Sequence, residues 1–282
     1  MSPAGQRAIG VFDSGIGGLT VAREIFRLLP NESVVYFGDT ARVPYGPKSP
    51  ATVLHYAREA ATFLQSQDIK MLVVACNTAT AHAAEALARE LPVPVVGVVE
   101  PGARTAARST HSGRVGVIGT AGTIASGAYD KAVRRLVRNA RVYAQPCPLF
   151  VPLIEEGWTD HEATRLVARE YLAPLHEVDI DVLILGCTHY PLLAPIIREV
   201  LGPDVTLVDS AHETAREVKQ VLEREKLLRL DAGPPTHAFF ASDSPMRFRD
   251  VGSKFVGGRI TAVERVVVEG MTAREATEPS GG

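Results

Sequence analysis

Two cysteines of this chain lie in similar surroundings. Cys76 lies within "VVACNTATA" (73–81) and Cys187 within "LILGCTHYP" (183–191), and in both segments an apolar run ends at the cysteine and small polar residues follow. If the apolar runs are strands of a parallel sheet, both thiols lie at strand carboxyl ends, where ligands bind in such sheets. A helix that begins after a thiol lowers its pKa toward the basic thiolate. We therefore expect a reactive thiol at each position.

The residues after each cysteine predict a site for a carboxylate. Asn77 and Thr78 follow Cys76, and Thr188 and His189 follow Cys187. Backbone N–H groups at a helix start, together with amide, hydroxyl and imidazole donors, are groups that hold an anion. Each segment therefore offers both a base and an anion cradle.

Two thiols on opposite sides of one carbon could catalyse a racemisation or an epimerisation, because one removes a proton and the other returns a proton on the far face. A single cysteine at a strand end is more often a buried core residue. The matched pair favours the catalytic interpretation. The alternative is a two-lobed binding protein for a small acidic ligand, whose function would survive Cys76→Ser or Cys187→Ser.

The elements that must position these residues form an α/β pattern with parallel sheets. The predicted strands are 8–13, 33–39, 71–76, 93–99, 114–120, 182–187 and 205–210, with further strand-like runs at 236–242 and 259–268. The predicted helices are 18–29, 50–66, 79–90, 124–139, 160–175 and 192–201. Pro50 and Asp160 are residue types expected at helix starts. Because the strands are short and apolar throughout, we expect helices on both faces of each sheet.

The chain also repeats itself at long range. "IGVFDS" (9–14) resembles "VGVIGT" (115–120), and the two segments are separated by nearly the same length of chain as the two cysteine segments. Such a repeat predicts a duplicated unit. We expect two pseudo-symmetric, doubly wound parallel-sheet domains with the active site in the cleft between them. The predicted first domain is 1–97 plus 208–270, the second is 98–207, and 271–282 is a disordered tail.

Charge and composition limit the function. The 282 residues include 30 Lys and Arg against 32 Asp and Glu, for a formal net charge of -2. This balance gives no electrostatic footprint for nucleic acid or an anionic membrane. The first residues lack an apolar leader, and no apolar run reaches spanning length, so we expect a cytoplasmic protein. Three cysteines are too few for a disulfide framework, and free thiols are expected.

Cofactor and metal chemistry are not expected from the motifs. The glycine-rich turns 13–18 and 116–123 lack the spacing of phosphate-binding loops. Cys187 and His189 lack the usual spacing of metal ligands, and the proposed acid/base groups are cysteines rather than a lysine that could hold pyridoxal phosphate. Cys147, in "QPCPL", has no donors after it and is interpreted as structural.

Five segments in order resemble the cofactor-independent aspartate/glutamate racemase family. The segments are "IGVFDSGIGGLTV" (9–21), "VPYG" (43–46), "ACNTATA" (75–81), "PLFVPLIEEG" (148–157) and "GCTHYPLL" (186–193). The resemblance extends from about residue 9 to about residue 270. It implies cofactor-free interconversion of L- and D-glutamate, with supply of D-glutamate for bacterial peptidoglycan. A racemase of aspartate or another acidic amino acid remains the alternative within this class, and a homodimer is left open as a partner.

The resemblance also implies roles for individual residues. Cys76 acts on D-glutamate with help from Asp13, and Cys187 acts on L-glutamate with help from His189 and Glu155. The implied substrate contacts are Asp13, Ser14, Tyr45, Gly46, Asn77, Thr78, Thr120, Thr123, Thr188 and His189.

Overall fold

The computed structural model describes residues 4–230 and 233–268. The strands in these ranges are β1 (Ala8–Asp13), β2 (Val34–Gly38), β3 (Ile69–Val74), β4 (Val95–Gly97), β5 (Arg114–Gly119), β6 (Arg141–Pro146), β7 (Val182–Gly186), β8 (Thr206–Asp209), β9 (His237–Ala241) and β10 (Glu264–Arg265). The α-helices are α1 (Leu19–Leu28), α2 (Pro50–Ser66), α3 (Asn77–Glu90), α4 (Val99–Ser109), α5 (Ala121–Ala125), α6 (Ala128–Leu136), α7 (Phe150–Glu155), α8 (Glu162–Glu177), α9 (Ala194–Leu201), α10 (Ser210–Arg224) and α11 (Pro245–Val256). Short 3₁₀ turns lie at Ala4–Gln6 and Tyr190–Leu193.

The strands form two sheets in which every described pair is parallel. The first sheet has the order β10-β9-β2-β1-β3-β4, and the second has the order β6-β5-β7-β8. The run β2-β1-β3-β4 corresponds strand for strand to β6-β5-β7-β8. The prediction of two pseudo-symmetric parallel-sheet units is confirmed, and the strands that precede the two cysteines, β3 and β7, hold equivalent places.

Each sheet has an apolar core on both faces, as expected for doubly wound units. In the first sheet, one core includes side chains of α1, α10 and α11, and the other includes side chains of α2 and α3. In the second sheet, one core includes α7, α8 and α9, and the other includes α4 and α6. This coverage leaves the strand carboxyl ends as the edges at which polar loops emerge.

The segment that follows β8 returns to the first sheet. β9 pairs with β2 over five residues, Val34↔His237 to Gly38↔Ala241, and β10 pairs with β9. Helix α10 packs against both α1 and α4. The domain limits 1–97 plus 208–270 and 98–207 stay predictions, and the tail 271–282 lies outside the described residues.

Several element predictions were wrong in detail. The predicted helix 124–139 covers only the end of α5 and the whole of α6, because Gly127 adopts a left-handed conformation with φ 65° between these two helices. In the strand-like run 259–268, only Glu264 and Arg265 pair in the sheet. Helix α8 begins after His161, whose ring accepts a hydrogen bond from the Ala163 N–H, rather than at Asp160.

The helix start at Pro50 is confirmed, and Ser49 caps it by accepting a hydrogen bond from the Thr52 N–H at 3.2 Å. Helices α4, α7, α10 and α11 and strand β6 were not predicted. β6 is largely exposed or half-buried along its length, so it lacks the apolar run by which the other strands were found. Within the described ranges, no helix is long and apolar enough to cross a membrane.

Candidate active site

The carboxyl ends of the two sheets face each other around a small cavity of about 30 Å³. A volume of this size holds roughly two water molecules. Both sheets contribute to its wall, which consists of Ser14, Val43, Pro44, Tyr45, Gly46, Cys76, Asn77, Thr78, Thr120, Val151, Gly186, Cys187, Thr188 and His189. Both cysteines singled out from the sequence therefore contact one enclosed space.

Cys76 caps the helix that follows it. Its Sγ accepts a hydrogen bond from the Ala79 N–H at 3.4 Å and lies 3.6 Å from Ser14 Oγ. Burial, reinforced by the charge of Asp13, raises the pKa of the Cys76 thiol to about 12. The expectation that the helix lowers this pKa was wrong for Cys76, because loss of water outweighs the hydrogen bonds with the Ala79 N–H and the Ser14 hydroxyl.

Asp13 lies behind Cys76, at the end of β1. The carboxylate is buried, and Oδ2 accepts a hydrogen bond from the Gly15 N–H at 3.1 Å. Burial raises the pKa of Asp13, and the charge of His189 and the N–H groups of the following turn act in the opposite direction. The charge of this carboxylate acts on both Cys76 and His189.

Cys187 has a different set of neighbours. Its Sγ lies 3.8 Å from His189 Nδ1, and His189 Nε2 lies 3.3 Å from Glu155 Oε1. The latter contact is an ion pair rather than an aligned hydrogen bond, because the ring N–H does not point at the carboxylate oxygen. Burial alone would lower the pKa of His189, but Cys187 and Glu155 outweigh it and raise the pKa to about 10.

The backbone after Cys187 also differs from that after Cys76. Residues 187–189 enter the 3₁₀ turn Tyr190–Leu193, and α9 begins only at Ala194. The second cysteine is therefore not at the start of an α-helix, and the imidazole of His189 takes the place next to the sulfur that helix N–H groups take at Cys76.

Three threonines join the two units beside the cavity. Thr78 Oγ1 lies 2.8 Å from Thr120 Oγ1 and 3.0 Å from Thr123 Oγ1. Thr120 also caps α5 by accepting a hydrogen bond from the Thr123 N–H at 3.4 Å. These hydroxyls supply donors from α3 and α5 on one side of the cavity.

The loop that contains Tyr45 and Gly46 closes another side. The Tyr45 hydroxyl donates a hydrogen bond to Asp39, which also binds Arg42. The Gly46 carbonyl accepts a hydrogen bond from the Gly122 N–H at 2.8 Å, and a Cβ at Gly46 would lie 2.7 Å from Thr120 Cβ. Glycine is required at position 46 because the loop and α5 approach so closely.

The cradle residues are held across the two units. Asn77 Oδ1 accepts a hydrogen bond from the Tyr129 hydroxyl at 2.6 Å, whereas Asn77 Nδ2 is buried without a partner among the described residues. The Thr188 carbonyl faces Thr20 Oγ1 at 3.4 Å. A Cβ at Gly17 would lie 2.3 Å from Thr188 Oγ1, so the glycine turn after β1 lies directly against the second cysteine segment.

The predicted site residues fall into two groups. Those in the cavity wall are Ser14, Tyr45, Gly46, Cys76, Asn77, Thr78, Thr120, Cys187, Thr188 and His189. The other three contact that wall from behind: Asp13 beside Cys76, Thr123 on Thr78, and Glu155 on His189. Cys147 is buried with its Sγ 3.6 Å from the Gln145 carbonyl and is absent from the wall.

Sequence reasoning missed several residues. Val43, Pro44, Val151 and Gly186 line the cavity and lie in the quoted motifs, but they carry no polar group that would mark them. Tyr129 lies in none of these motifs, and a tyrosine on an amphipathic helix is expected in a core. Only the three-dimensional structure brings it to Asn77.

A larger apolar cavity of about 320 Å³ adjoins the small one and shares Val43, Pro44, Gly46, Thr120 and Val151 with it. All three cysteines of the chain are free thiols. Among the described residues, no cluster of three or more histidine, cysteine or acidic side chains is arranged to hold a metal ion.

The arrangement provides two sulfurs from equivalent strand ends, a carboxylate behind one and a charged imidazole beside the other. Hydroxyl, amide and backbone donors surround them. Such a site can bind a small anion and exchange a proton on either of its faces.

Comparison with known proteins agrees with this geometry. Residues 9–218 match the model of the Asp/Glu/Hydantoin racemase family. A glutamate racemase from Geobacter metallireducens is 57% identical over 263 residues, which cover 93% of this chain and 97% of that protein.

Solved structures give the same result. The glutamate racemase isoform RacE1 from Bacillus anthracis has a TM-score of 0.89 and 44% identity, with coverage of 93% of this chain and 97% of that chain. The glutamate racemase from Francisella tularensis in complex with D-glutamate has a TM-score of 0.88 and 40% identity, with coverage of 93% and 98%. The chain belongs to the Asp/Glu/Hydantoin racemase family and, within it, to the glutamate racemases.

Proposed function

We propose that the protein interconverts L- and D-glutamate by a cofactor-independent transfer of protons between two thiols. The observation that carries the proposal is the placement of Cys76 and Cys187, at equivalent ends of β3 and β7, on the wall of one cavity. A planar carbon held between two such sulfurs can lose a proton to one and receive a proton from the other.

In the direction from D-glutamate, the Cys76 thiolate removes the α-proton and becomes a thiol. The Cys187 thiol then gives its proton to the opposite face and becomes a thiolate. The C–H bond that breaks and the C–H bond that forms share the same carbon, and the electron pair stays on the substrate between the two steps. The site is left with Cys76 as a thiol and Cys187 as a thiolate. These are the protonation states that L-glutamate needs, because it reacts by the reverse sequence.

Negative charge that develops on the substrate is stabilised by the donors around the cavity. Asn77, Thr78 and Thr188 offer amide, hydroxyl and backbone donors at the two cysteine segments, and such fixed donors are most effective in a site without water. The α-ammonium group of the substrate also brings a positive charge next to Cys76. That charge favours the thiolate, which burial disfavours in the free site.

The cavity is far smaller than glutamate, which has ten non-hydrogen atoms, so the two units must separate for substrate to bind. Polar links join the two units near the site. They include Thr78 with Thr120 and Thr123, Gly46 with Gly122, Asn77 with Tyr129, Thr20 with Thr188, and His82 with Gly122. We infer that these contacts break and re-form in each cycle, with closure excluding water from the reacting carbon.

Glutamate is favoured over aspartate because the relative at 57% identity and the two solved structures described above are glutamate racemases. Physical reasoning on the wall residues alone does not set the length of the side chain by one methylene group. Measurement of both amino acids under the same conditions decides between them.

Circular dichroism of D- or L-glutamate, incubated with the protein and no added cofactor, is the direct test. Decay of the signal to zero is expected from both enantiomers. Reaction in D2O followed by chiral separation of the two enantiomers and proton NMR of each tests the mechanism. Deuterium should appear at Cα of the product enantiomer before it appears in recovered substrate, because the proton returned comes from the second thiol. Early exchange in the recovered substrate would instead indicate a single base, and no decay at all would contradict the proposal.

Three further expectations stay predictions. We infer a cytoplasmic location and a role in supplying D-glutamate for peptidoglycan, to be tested by fractionation and by depletion with D-glutamate rescue. We also propose pairing as a homodimer, which sedimentation equilibrium tests by mass.

A further inference from the structure

Asn77 presents one polar atom that the folded protein leaves without a partner. Its side chain is 3% exposed and lies in the cavity wall between the two units. Oδ1 accepts the Tyr129 hydroxyl hydrogen at 2.6 Å, and Nδ2 has no partner among the described residues. A buried N–H group without an acceptor is costly, so its presence in a ligand cavity points to a ligand acceptor.

An amide side chain can be turned by half a rotation with little change in shape, which exchanges its oxygen and its nitrogen. What fixes the orientation of Asn77 is the group at its far side. A phenol hydrogen needs an acceptor, and the amide oxygen supplies one. The nitrogen is then left as the polar atom that the side chain can offer to the cavity.

Tyr129 is itself held firmly. It is 2% exposed and belongs to the apolar core that includes α4 and α6. Its ring lies between two glycines: a Cβ at Gly186 would be 3.1 Å from its Cε2, and a Cβ at Gly102 would be 3.3 Å from its hydroxyl oxygen. Burial raises the pKa of Tyr129 far above its usual value, with the Ser210 hydroxyl acting in the opposite direction, so the phenol stays a donor.

The two neighbours of Tyr129 belong to the two cysteine segments. Gly186 directly precedes Cys187, and Asn77 directly follows Cys76. Tyr129 therefore contacts both cysteine segments: the end of β7, which precedes Cys187, and the start of α3, which follows Cys76.

We propose that Tyr129 is a positioning residue that fixes the Asn77 amide with its N–H₂ group toward the substrate carboxylate. The inference rests on the proposed glutamate racemisation. Tyr129 is not one of the residues that form the cavity wall. It acts through Asn77, and only when the two units are closed, because the hydrogen bond joins one unit to the other.

The experiment is a double-mutant cycle on kcat/KM for glutamate. Tyr129→Phe keeps the ring and removes the hydroxyl, and we expect kcat/KM to fall about tenfold. The pH dependence should keep its shape, because no group that ionises in the measured range is removed. In the Asn77→Ala background, Tyr129→Phe should have no further effect.

Two further variants serve as a control and as an alternative test. Tyr190→Phe also removes a buried phenol, which donates to the Cys147 carbonyl at 2.7 Å, and its effect should simply multiply with that of Asn77→Ala. Gly102→Ala keeps every polar group, favours its helix and presses on the Tyr129 hydroxyl. If Tyr129→Phe does not fold, Gly102→Ala carries the test, with an expected two- to threefold loss that disappears in Asn77→Ala.

Wild-type kcat/KM in Tyr129→Phe would overturn the inference, and so would an undiminished loss in the Asn77→Ala background. Coupling of Tyr190 to Asn77 as strong as that of Tyr129 would also overturn it. Absence of glutamate racemisation in the wild-type protein would instead refute the proposed function, so the two failures are distinguished.

Discussion

The two halves of the site occupy equivalent places in a duplicated fold but surround their thiols with opposite charge. Cys76 lies beside Ser14, with the Asp13 carboxylate behind it. Cys187 lies beside His189, and Glu155 forms an ion pair with the far side of the His189 ring. The backbone duplication therefore fixes where the sulfurs lie. The charge that each sulfur meets is set by other residues: Asp13, at the end of the neighbouring strand β1, for Cys76, and His189, two residues along the chain, for Cys187.

This difference has a physical cause in the local backbone. At Cys76, α3 begins at once, and the Ala79 N–H donates a hydrogen bond to the sulfur. At Cys187, a 3₁₀ turn follows and brings His189 back toward the sulfur two residues away. The comparison teaches that a symmetric proton exchange does not need symmetric acid/base groups, because an enantiomeric pair presents different groups to each side of the cavity.

Removal of either thiol should have the largest effect. We expect Cys76→Ser and Cys187→Ser each to lower kcat/KM at least about 10³-fold with the fold retained, because a serine hydroxyl is a far weaker acid than a thiol. Circular dichroism of glutamate measures the activity, and far-UV circular dichroism of the protein checks the fold. Since L- and D-glutamate have equal free energies, the loss of kcat/KM must be equal from both enantiomers. Full activity in either variant would show that the substituted thiol is not a catalytic group, and the two halves could then not be compared as two acid/base sites.

Removal of the charged group next to each thiol should affect the two directions of the reaction differently. Asp13→Asn removes the charge that strengthens Cys76 as a base, and His189→Asn removes the charged group beside Cys187. We expect kcat to fall about 10²-fold in each case, more from D-glutamate in the first variant and more from L-glutamate in the second. Separate kcat and KM values in both directions give the measurement. Identical directional ratios in the two variants would show that the halves are not assigned to opposite enantiomers.

The sequence predicted the positions of the thiols well because both follow apolar runs in a repeated pattern. The runs 71–76 and 182–187 were visible as uninterrupted apolar segments, and their equivalence followed from the repeat of 9–14 at 115–120. Helices α4, α7, α10 and α11 were not predicted. Three of them contain residue types that disfavour a helix: Pro101 in α4, Pro152 in α7 and Gly252 in α11.

The protonation of the site could not be predicted in the same way. A helix start predicted a lowered pKa at Cys76, but the structure shows that burial and Asp13 raise it. Burial depends on how the two units close over the cavity, and no local pattern encodes that. The contact of Tyr129 with Asn77 is of the same kind, since it joins residues from two units at a long distance along the chain.

The outer carboxylate should have a smaller effect, visible mainly in pH dependence. Glu155 raises the pKa of His189, so Glu155→Gln lowers it, and His189 loses its proton at a lower pH. We expect about a tenfold fall in kcat/KM at neutral pH and an alkaline limb of the pH–rate profile that moves to lower pH. Glu156→Gln is the matched control, because Glu156 is exposed and pairs with Arg247 at the rim. An alkaline limb that stays in place in Glu155→Gln would mean that the ion pair with Glu155 does not raise the pKa of His189.

The smallest expected effect is on stability. The folded pKa of His189, about 10, lies above its usual value of 6.5. Its contribution to the free energy of unfolding is therefore fully present below pH 6.5 and is lost as the pH rises through about 10. Cys187, Glu155 and Asp13 are the groups that face the ring and share this shift. We expect the free energy of unfolding of wild type, relative to that of His189→Asn, to be larger at pH 6 than near pH 10 in urea denaturation. If the difference in the free energy of unfolding instead grew with pH, the imidazole beside Cys187 would be neutral in the folded protein. The two halves of the site would then not differ in charge.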